Sequence, residues 1–410
     1  MSKVATYLIC SMVLLLIIIN LTHQILIQRN PQLASRYLPF DVSGGQAHLK
    51  ERLTSHRPAS NLQEEKALAE SLIQRAPISA RNYSLRATVE HMSGNHSAGL
   101  DFDNLALELN PADFVSLINR ISLNISENRL TAAFSDFEIL FRRNRRNAAA
   151  LVRLMINVLE TKQGIQEIAG LLAKDPSWSS YFYRELGRTK RGALIAYKIQ
   201  FELLQHGYFS TSALIQNIDI LVLREMYDLA HRLRTKLITK SDSQLNGIVY
   251  NSKFERQPSG TSFEWRLKDR RGSSVRWLKD PTERPDIKAK GPAIQIQFHT
   301  QPVKQVGLSQ MVMLPPGKYV LSTVISTRRA HLPKGLRWNL FCIAPNRSDV
   351  VLEIDPGDYS ERNFETEFEI SKKCDAHVLW LDTLLKSNTF LHKYSGEILV
   401  HQVEIQRLNY

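Results

Sequence analysis

Cysteine is scarce, with three residues in a chain of 410. No two of them form a Cys-x-x-Cys pair, which excludes the common zinc ribbons and thioredoxin-type redox motifs. The recognisable hydrolase and nucleotide motifs are missing too. There is no Gly-x-Ser-x-Gly, no His-Glu-x-x-His and no glycine-rich phosphate loop opening a helix. The twelve histidines are scattered. Asp355-Pro-Gly-Asp358 reads as a turn rather than a cation site. These absences predict a protein that is not an enzyme and needs no cofactor or metal. A glycan lyase or esterase would need converging carboxylates or a Ser-His pair, and no spacing announces one.

Acidic residues are in deficit. Lys and Arg number 53 against 40 Asp and Glu, a formal charge of +13. A basic surface of this size favours acidic partners such as lipid headgroups, acidic glycans or acidic proteins. Hydrophobic content of 43% and charged content of 23% are ordinary for globular material, and the length allows two or three domains.

One long apolar run occurs. Val4 to Leu21 is broken only by Thr6, Ser11 and Asn20, and Ile25, Leu26 and Ile27 extend it. At 1.5 Å per residue it approaches the roughly 30 Å of a hydrocarbon core. It is longer than a cleaved signal's apolar region and lacks a following small-x-small site. Residues 4–27 are therefore expected to form an uncleaved single-pass signal anchor, residues 1–3 a cytoplasmic stub, and the bulk of the chain an extracytoplasmic body. Nucleic acid is excluded as a partner by that compartment. Cys10 falls inside the apolar run, which leaves Cys342 and Cys374 as candidates for at most one bridge.

Residues 28–60 hold Pro31, Pro39, Gly44, Gly45 and Pro58 with little periodicity and are expected to be a linker. From 61 to 239 the apolar spacing is helical, as in Phe114, Leu117, Ile118, Ile121 and Ile125. Ala76-Pro77, Asn110-Pro111 and Asn144-Arg145 recur at 34 residues, the tetratricopeptide period. Leu107-Glu-Leu-Asn-Pro111 resembles the end of such a repeat. Stacked helix pairs offer a concave surface for a protein partner, and Arg142, Arg143, Arg145 and Arg146 at one corner are candidates for an acidic contact. Arg188, Lys190 and Arg191 cluster at another corner.

After residue 240 short alternating segments separated by Gly, Pro, Asn and Asp take over. Strands are expected at 247–254, 262–267, 293–298, 308–314, 317–327, 336–343, 363–370, 377–381 and 397–407. Nine short strands and no convincing helix predict a two-sheet sandwich or jelly roll over 240–410. Alternation puts Leu336, Trp338, Leu340 and Cys342 on one inward face, and Phe263, Trp265 and Leu267 together on another. Exposed aromatic rings stack on sugar rings, and Trp277, between Arg276 and Lys279 in a loop-like stretch, and Tyr359 are the candidates for exposure.

Gly247-Ile-Val-Tyr-Asn-Ser-Lys-Phe-Glu255, Phe263-Glu-Trp265, Gln310 to Tyr319, Gly335 to Cys342 and Ser395-Gly396-Glu397 together resemble the jelly-roll domains related to carbohydrate-binding modules. The whole chain is similar to bacterial membrane-anchored, tetratricopeptide-like proteins of exopolysaccharide or envelope polysaccharide assembly. The resemblance implies a helical-repeat domain followed by a β-sandwich, and a scaffold on the periplasmic side of the inner membrane. It also implies a protein partner on the repeats, a polysaccharide partner on the sandwich, and a Cys342–Cys374 bridge between neighbouring strands. The other reading makes the chain an assembly factor for an envelope protein complex, with the sandwich as a protein-interaction module and no glycan contact.

Overall fold

The computed structural model describes residues 13–408 apart from 14–16, 19, 23, 38–41, 56–61, 209, 238–244, 246, 281–290, 345–346, 372–373 and 385–391. Most of the expected anchor, and the stub before it, lie outside the described residues. Val13, Ile17, Ile18, Leu21 and Ile25 are helical and exposed. Among the described residues no helix is long and apolar enough to cross a membrane. The chain divides into two compact units, Met1–Phe182 and Tyr183–Tyr410.

In the first unit the helices are α1 (Pro31–Tyr37), α2 (Val42–Ser55), α3 (Gln63–Arg75), α4 (Ala80–Met92), α5 (His96–Leu109), α6 (Phe114–Ser126) and α7 (Leu130–Arg143). They are followed by α8 (Ala148–Met155) and α9 (Lys162–Leu172), and α10 (Ser179–Leu186) straddles the division. The expected linker is thus corrected in part. Residues 28–60 include α1 and α2, and Leu49 of α2 is buried with Ala69, Leu72, Leu85 and Val89. Gly45 permits this approach, because a Cβ there would stand 2.7 Å from Leu72 Cδ2. The glycines that suggested a spacer are small residues at a helix contact.

The 34-residue interval is structural. Helices α4 and α6 begin 34 positions apart, as do α5 and α7. The residues ending α3, α5 and α7, namely Ala76, Asn110 and Asn144, donate N–H bonds to Leu72, Ala106 and Leu140, each set at the same interval. Between paired helices the chain turns through left-handed residues, Gly94 (φ 80°) and Asn128 (φ 57°), again 34 apart. The third unit starts in register at Ala148, but its first helix is shorter than α4 or α6. Phe137, Phe141, Trp178 and Phe182 close this end with ring centroids 5.2–6.5 Å apart.

The second unit combines α11 (Lys190–Gln205), α12 (Thr211–Leu223) and α13 (Tyr227–Leu237) with ten strands. The change of secondary structure near 240 matches the sequence reading, but the compact units divide at 182/183. The strands are β1 (Arg266–Leu267), β2 (Ser273–Leu278), β3 (Ala293–Gln301), β4 (Gln305–Val312), β5 (Gly317–His331), β6 (Leu336–Cys342), β7 (Arg347–Ile354), β8 (Arg362–Ile370), β9 (His377–Thr383) and β10 (Tyr394–Arg407). They form two antiparallel five-stranded sheets of order β1-β4-β9-β6-β7 and β2-β3-β10-β5-β8.

Trp265, Trp338, Ile296, Leu321, Leu340 and Leu379 are buried in the core between the sheets. Leu336, Trp338, Leu340 and Cys342 are all buried, as alternation requires. The expected strand at 247–254 does not form. Asn251 (φ 52°) and Phe254 (φ 56°) leave the extended region. The Gln310 side chain takes the place of a ladder, accepting from Tyr250 N–H (3.0 Å) and donating to Tyr250 O (2.9 Å). The strand expected at 262–267 shrinks to two residues. Phe263 (φ 64°) turns away from Trp265 and joins the cluster of α11–α13 instead of the sandwich core. Strands β2 and β7 have no counterpart in the sequence reading.

Candidate functional site

The first sheet has an outer face built by β4, β6 and β9. Where Leu379 and Leu381 point inward, Val378, Trp380 and Asp382 point outward. Register sets Trp380 opposite Ser309 on one side and Asn339 on the other, and sets Asp382 opposite Arg337. Phe341 lies opposite Val378, with its ring centroid 5.4 Å from that of Trp380. The indole, the phenyl ring and four polar side chains therefore share one patch.

Trp380, Phe341, Arg337 and Asp382 are half-buried, and Asn339 is 6% exposed. Burial pushes the Asp382 carboxyl above the usual range, and the Thr383 N–H (2.8 Å), the Trp380 indole and the Arg337 guanidinium oppose it. Asn339 Nδ2 and Arg337 Nε are buried and have no hydrogen-bond partner among the described residues. An unmet buried donor costs about 1–3 kcal/mol. Being buried, these two atoms are not offered to a ligand, and the half-buried Trp380, Phe341, Arg337 and Asp382 supply the accessible surface of the patch. An aromatic platform flanked by a carboxylate, an amide and a guanidinium can stack on the C–H face of a sugar and exchange hydrogen bonds with its hydroxyls.

Along this face Met311, with Met313 beside it, packs into the cluster of Leu214, Ile218, Leu221, Ala230, Leu233 and Phe263. Helices α11–α13 thus cover the Met311 end. Arg234 of α13, 5% exposed, donates to Glu264 (2.8 Å) and lies 4.3 Å over the Tyr250 ring, joining helix to sandwich. Ser262 Oγ donates to Asp219 of α12 at 2.6 Å.

The residues singled out from sequence lie elsewhere. Trp277 is in strand β2, not a loop. It faces the core opposite Ile294, is half-buried, and donates its indole N–H to Phe254 O (2.7 Å). Tyr359 is half-buried against Phe364 (5.6 Å) with Arg362 over its ring. Burial pushes its hydroxyl up to about 12. The two stand near opposite edges of the second sheet, by β2 and before β8, and form no common site.

Arg142 and Arg143 end α7, and with Arg146 they are exposed at one corner, where cations oppose the negative end of the helix dipole. The side chain of Arg145 is outside the described residues. Of the second basic corner, Arg188 pairs with Glu185 (2.8 Å) and Lys190 with Glu225 (3.2 Å). Cys342 and Cys374 are bonded at 2.05 Å, at the end of β6 and just before its neighbour β9. The sequence reading prefers Trp277 and Tyr359 to Trp380, although the alternation in His-Val-Leu-Trp-Leu-Asp-Thr383 puts Trp380 and Asp382 on one face.

A Ser-His pair does occur. Ser326 Oγ and His401 Nε2 are 2.8 Å apart on the outer face of the second sheet, and Ser326 Oγ also accepts the Glu361 N–H (3.0 Å). No described residue hydrogen-bonds to His401 Nδ1, so the acid that would orient a catalytic imidazole is missing from the pair.

No family model matches the chain, and no curated protein does. Among solved structures the sandwich is similar to the CBM22-1 xylan-binding domain from Paenibacillus barcinonensis, at 11% identity over 39% of this chain and 93% of that one, with a TM-score of 0.26. A CBM4 structure matches at 11% identity over 39% and 99%, with a TM-score of 0.29. TmCBM61, solved with β-1,4-galactotriose, matches at 18% identity over 40% and 99%, with a TM-score of 0.25. At these values the similarity carries no argument about ligand or site.

Proposed function

We infer that this chain is a non-enzymatic glycan-binding scaffold that meets polysaccharide on the outer face of its first sheet. The observation that carries the reading is the patch of Trp380 and Phe341, ring centroids 5.4 Å apart, flanked by Asp382, Arg337 and Asn339. The excess of positive charge favours an acidic glycan. In the wider reading, residues 4–27 anchor the chain in the inner membrane with its body on the periplasmic side. The tetratricopeptide-like hairpins then bind a protein of an exopolysaccharide or envelope polysaccharide assembly system.

The test is a glycan array probed with the full chain, followed by titration of a bound oligosaccharide. Trp380→Ala is expected to weaken binding about 2- to 10-fold, the loss of a stacking contact of roughly 0.5–1.5 kcal/mol. Trp277→Phe is expected to leave binding unchanged. Binding unaffected by Trp380→Ala would remove the site from this face. A wild-type chain that binds no glycan would favour the second reading, an assembly factor with a protein-binding sandwich. That reading draws on the part of this face already occupied by α11–α13.

A further inference from the structure

His91 lies in the last turn of α4 and His96 opens α5, and the left-handed Gly94 folds the chain between them. Their Nδ1 atoms face each other at 3.4 Å, with ring centroids 5.6 Å apart. On its other side His91 Nε2 is 2.8 Å from Asp103 Oδ2, and Asp103 is fully buried. Asp103 Oδ1 accepts from Asn119 Nδ2 (3.2 Å), which also reaches Thr88 Oγ1 (3.1 Å). A carboxylate only accepts, so in the neutral tautomer that donates to Asp103 through Nε2 the His91 Nδ1 lone pair is directed at His96. Burial raises Asp103, and the bonds from His91 and Asn119 work against that rise.

A separation of 3.4 Å is long for a nitrogen–nitrogen hydrogen bond. It suits two ligands of one ion, since two bonds of about 2.0–2.1 Å at a tetrahedral angle place their nitrogens about 3.3 Å apart. A histidine whose far nitrogen donates to a carboxylate is the usual second layer of such a site.

The surroundings are specific to this hairpin. Gly99 lets the imidazole lie against α5, because a Cβ there would stand 2.5 Å from His91 Cε1. One repeat later, 34 positions on, the counterparts of His91, His96, Gly99 and Asp103 are Ile125, Leu130, Ala133 and Phe137. That hairpin closes on apolar side chains, so the fold does not require the polar set.

We propose that His91 and His96 bind a borderline divalent transition-metal ion such as Zn2+ through their Nδ1 atoms, with Asp103 as the positioning residue for His91. His96 is exposed, which leaves the remaining coordination positions open to water or to a donor from a partner. The ion would tie the end of α4 to the start of α5.

Equilibrium dialysis of the purified full chain against Zn2+ tests this. At matched free Zn2+ the wild type is expected to hold one more equivalent than His96→Gln, and His299→Gln, at an exposed histidine in the other unit, is expected to match the wild type. Asp103→Asn is expected to weaken that equivalent about 10- to 100-fold. Thermal unfolding supplies a second readout, with Zn2+ raising the Tm of the wild type and leaving that of His96→Gln unchanged. Equal Zn2+ content in wild type and His96→Gln, or an equal Zn2+-dependent Tm shift, would overturn the proposal.

Discussion

His401 occupies the extra position of a bulge, where β10 shifts register against β5 between Val400 and Gln402. The bulge keeps both Val400 and Val403 in the core while the imidazole is held beside Ser326. Burial lowers its proton affinity below the usual histidine range, offset in part by Glu361. The folded state therefore binds this proton less readily than the unfolded chain. Its contribution is intact above about pH 6.5 and is lost as pH falls through that value toward the depressed folded one. Urea unfolding is expected to show stability declining below pH 6.5, with a shallower decline in His401→Gln. An unchanged slope in the variant would assign the loss elsewhere, His231 of α13 being another histidine that burial lowers.

The Cys342–Cys374 bond closes a loop of sequence separation 32. By chain entropy such a closure stabilises by about 3–4 kcal/mol. Reduction, or the Cys342→Ala/Cys374→Ala double variant, is expected to lower the unfolding free energy of the sandwich by that amount, read in denaturant as a lower midpoint with an m-value that is larger because the unfolded chain is less compact.

At the scale of elements, two helix starts share one construction. Thr161 and Thr189 cap α9 and α11 by accepting the N–H of Gly164 and Gly192 at 3.0 Å. In each case a Cβ on the glycine would stand 2.0 Å from a carbonyl oxygen of the preceding segment, Val158 or Leu186. Backbone cannot give way as a flexible side chain can, so Gly192→Ala is expected to cost about 1–3 kcal/mol despite alanine's better helix propensity. Gly170→Ala, with nothing within 4 Å, is the matched control and is expected to be neutral or slightly stabilising. Equal effects of the two variants, measured by thermal unfolding, would refute the steric argument.

At the scale of the whole molecule, α11–α13 belong to the same unit as the sandwich. Phe263 is 5% exposed because Leu214, Ile218, Leu221 and Leu233 cover it, and Met311 and Met313 lie in the same cluster. A fragment beginning at residue 240 would leave this patch and Glu264 without their partners. It is expected to aggregate or bind hydrophobic dyes, whereas a fragment from 179 to 410 is expected to be monomeric in size-exclusion chromatography. Equal behaviour of the two fragments would mean that the helices contribute nothing to the sandwich.

What was legible in the sequence is what local periodicity encodes. Helical stripes and the recurring 34-residue interval located α4–α7, and alternation located β3, β5, β6 and the inward face of Trp338 and Cys342, because side-chain direction repeats at 3.6 and 2.0 residues. Tertiary structure decided everything that depended on contact at a distance. It made helix of residues 42–55 by packing Leu49 on Leu72, and replaced a strand at 247–254 with turns held by the Gln310 side chain. It turned Trp277 into the core, and gathered Trp380, Arg337, Asp382 and Asn339 from two strands into one patch. The same holds for His91, His96 and Asp103, whose shared geometry arises only when α4 and α5 close on each other around Gly94 and Gly99. Composition and period fix which way a residue points along its own element, and only the packed neighbours fix what it points at.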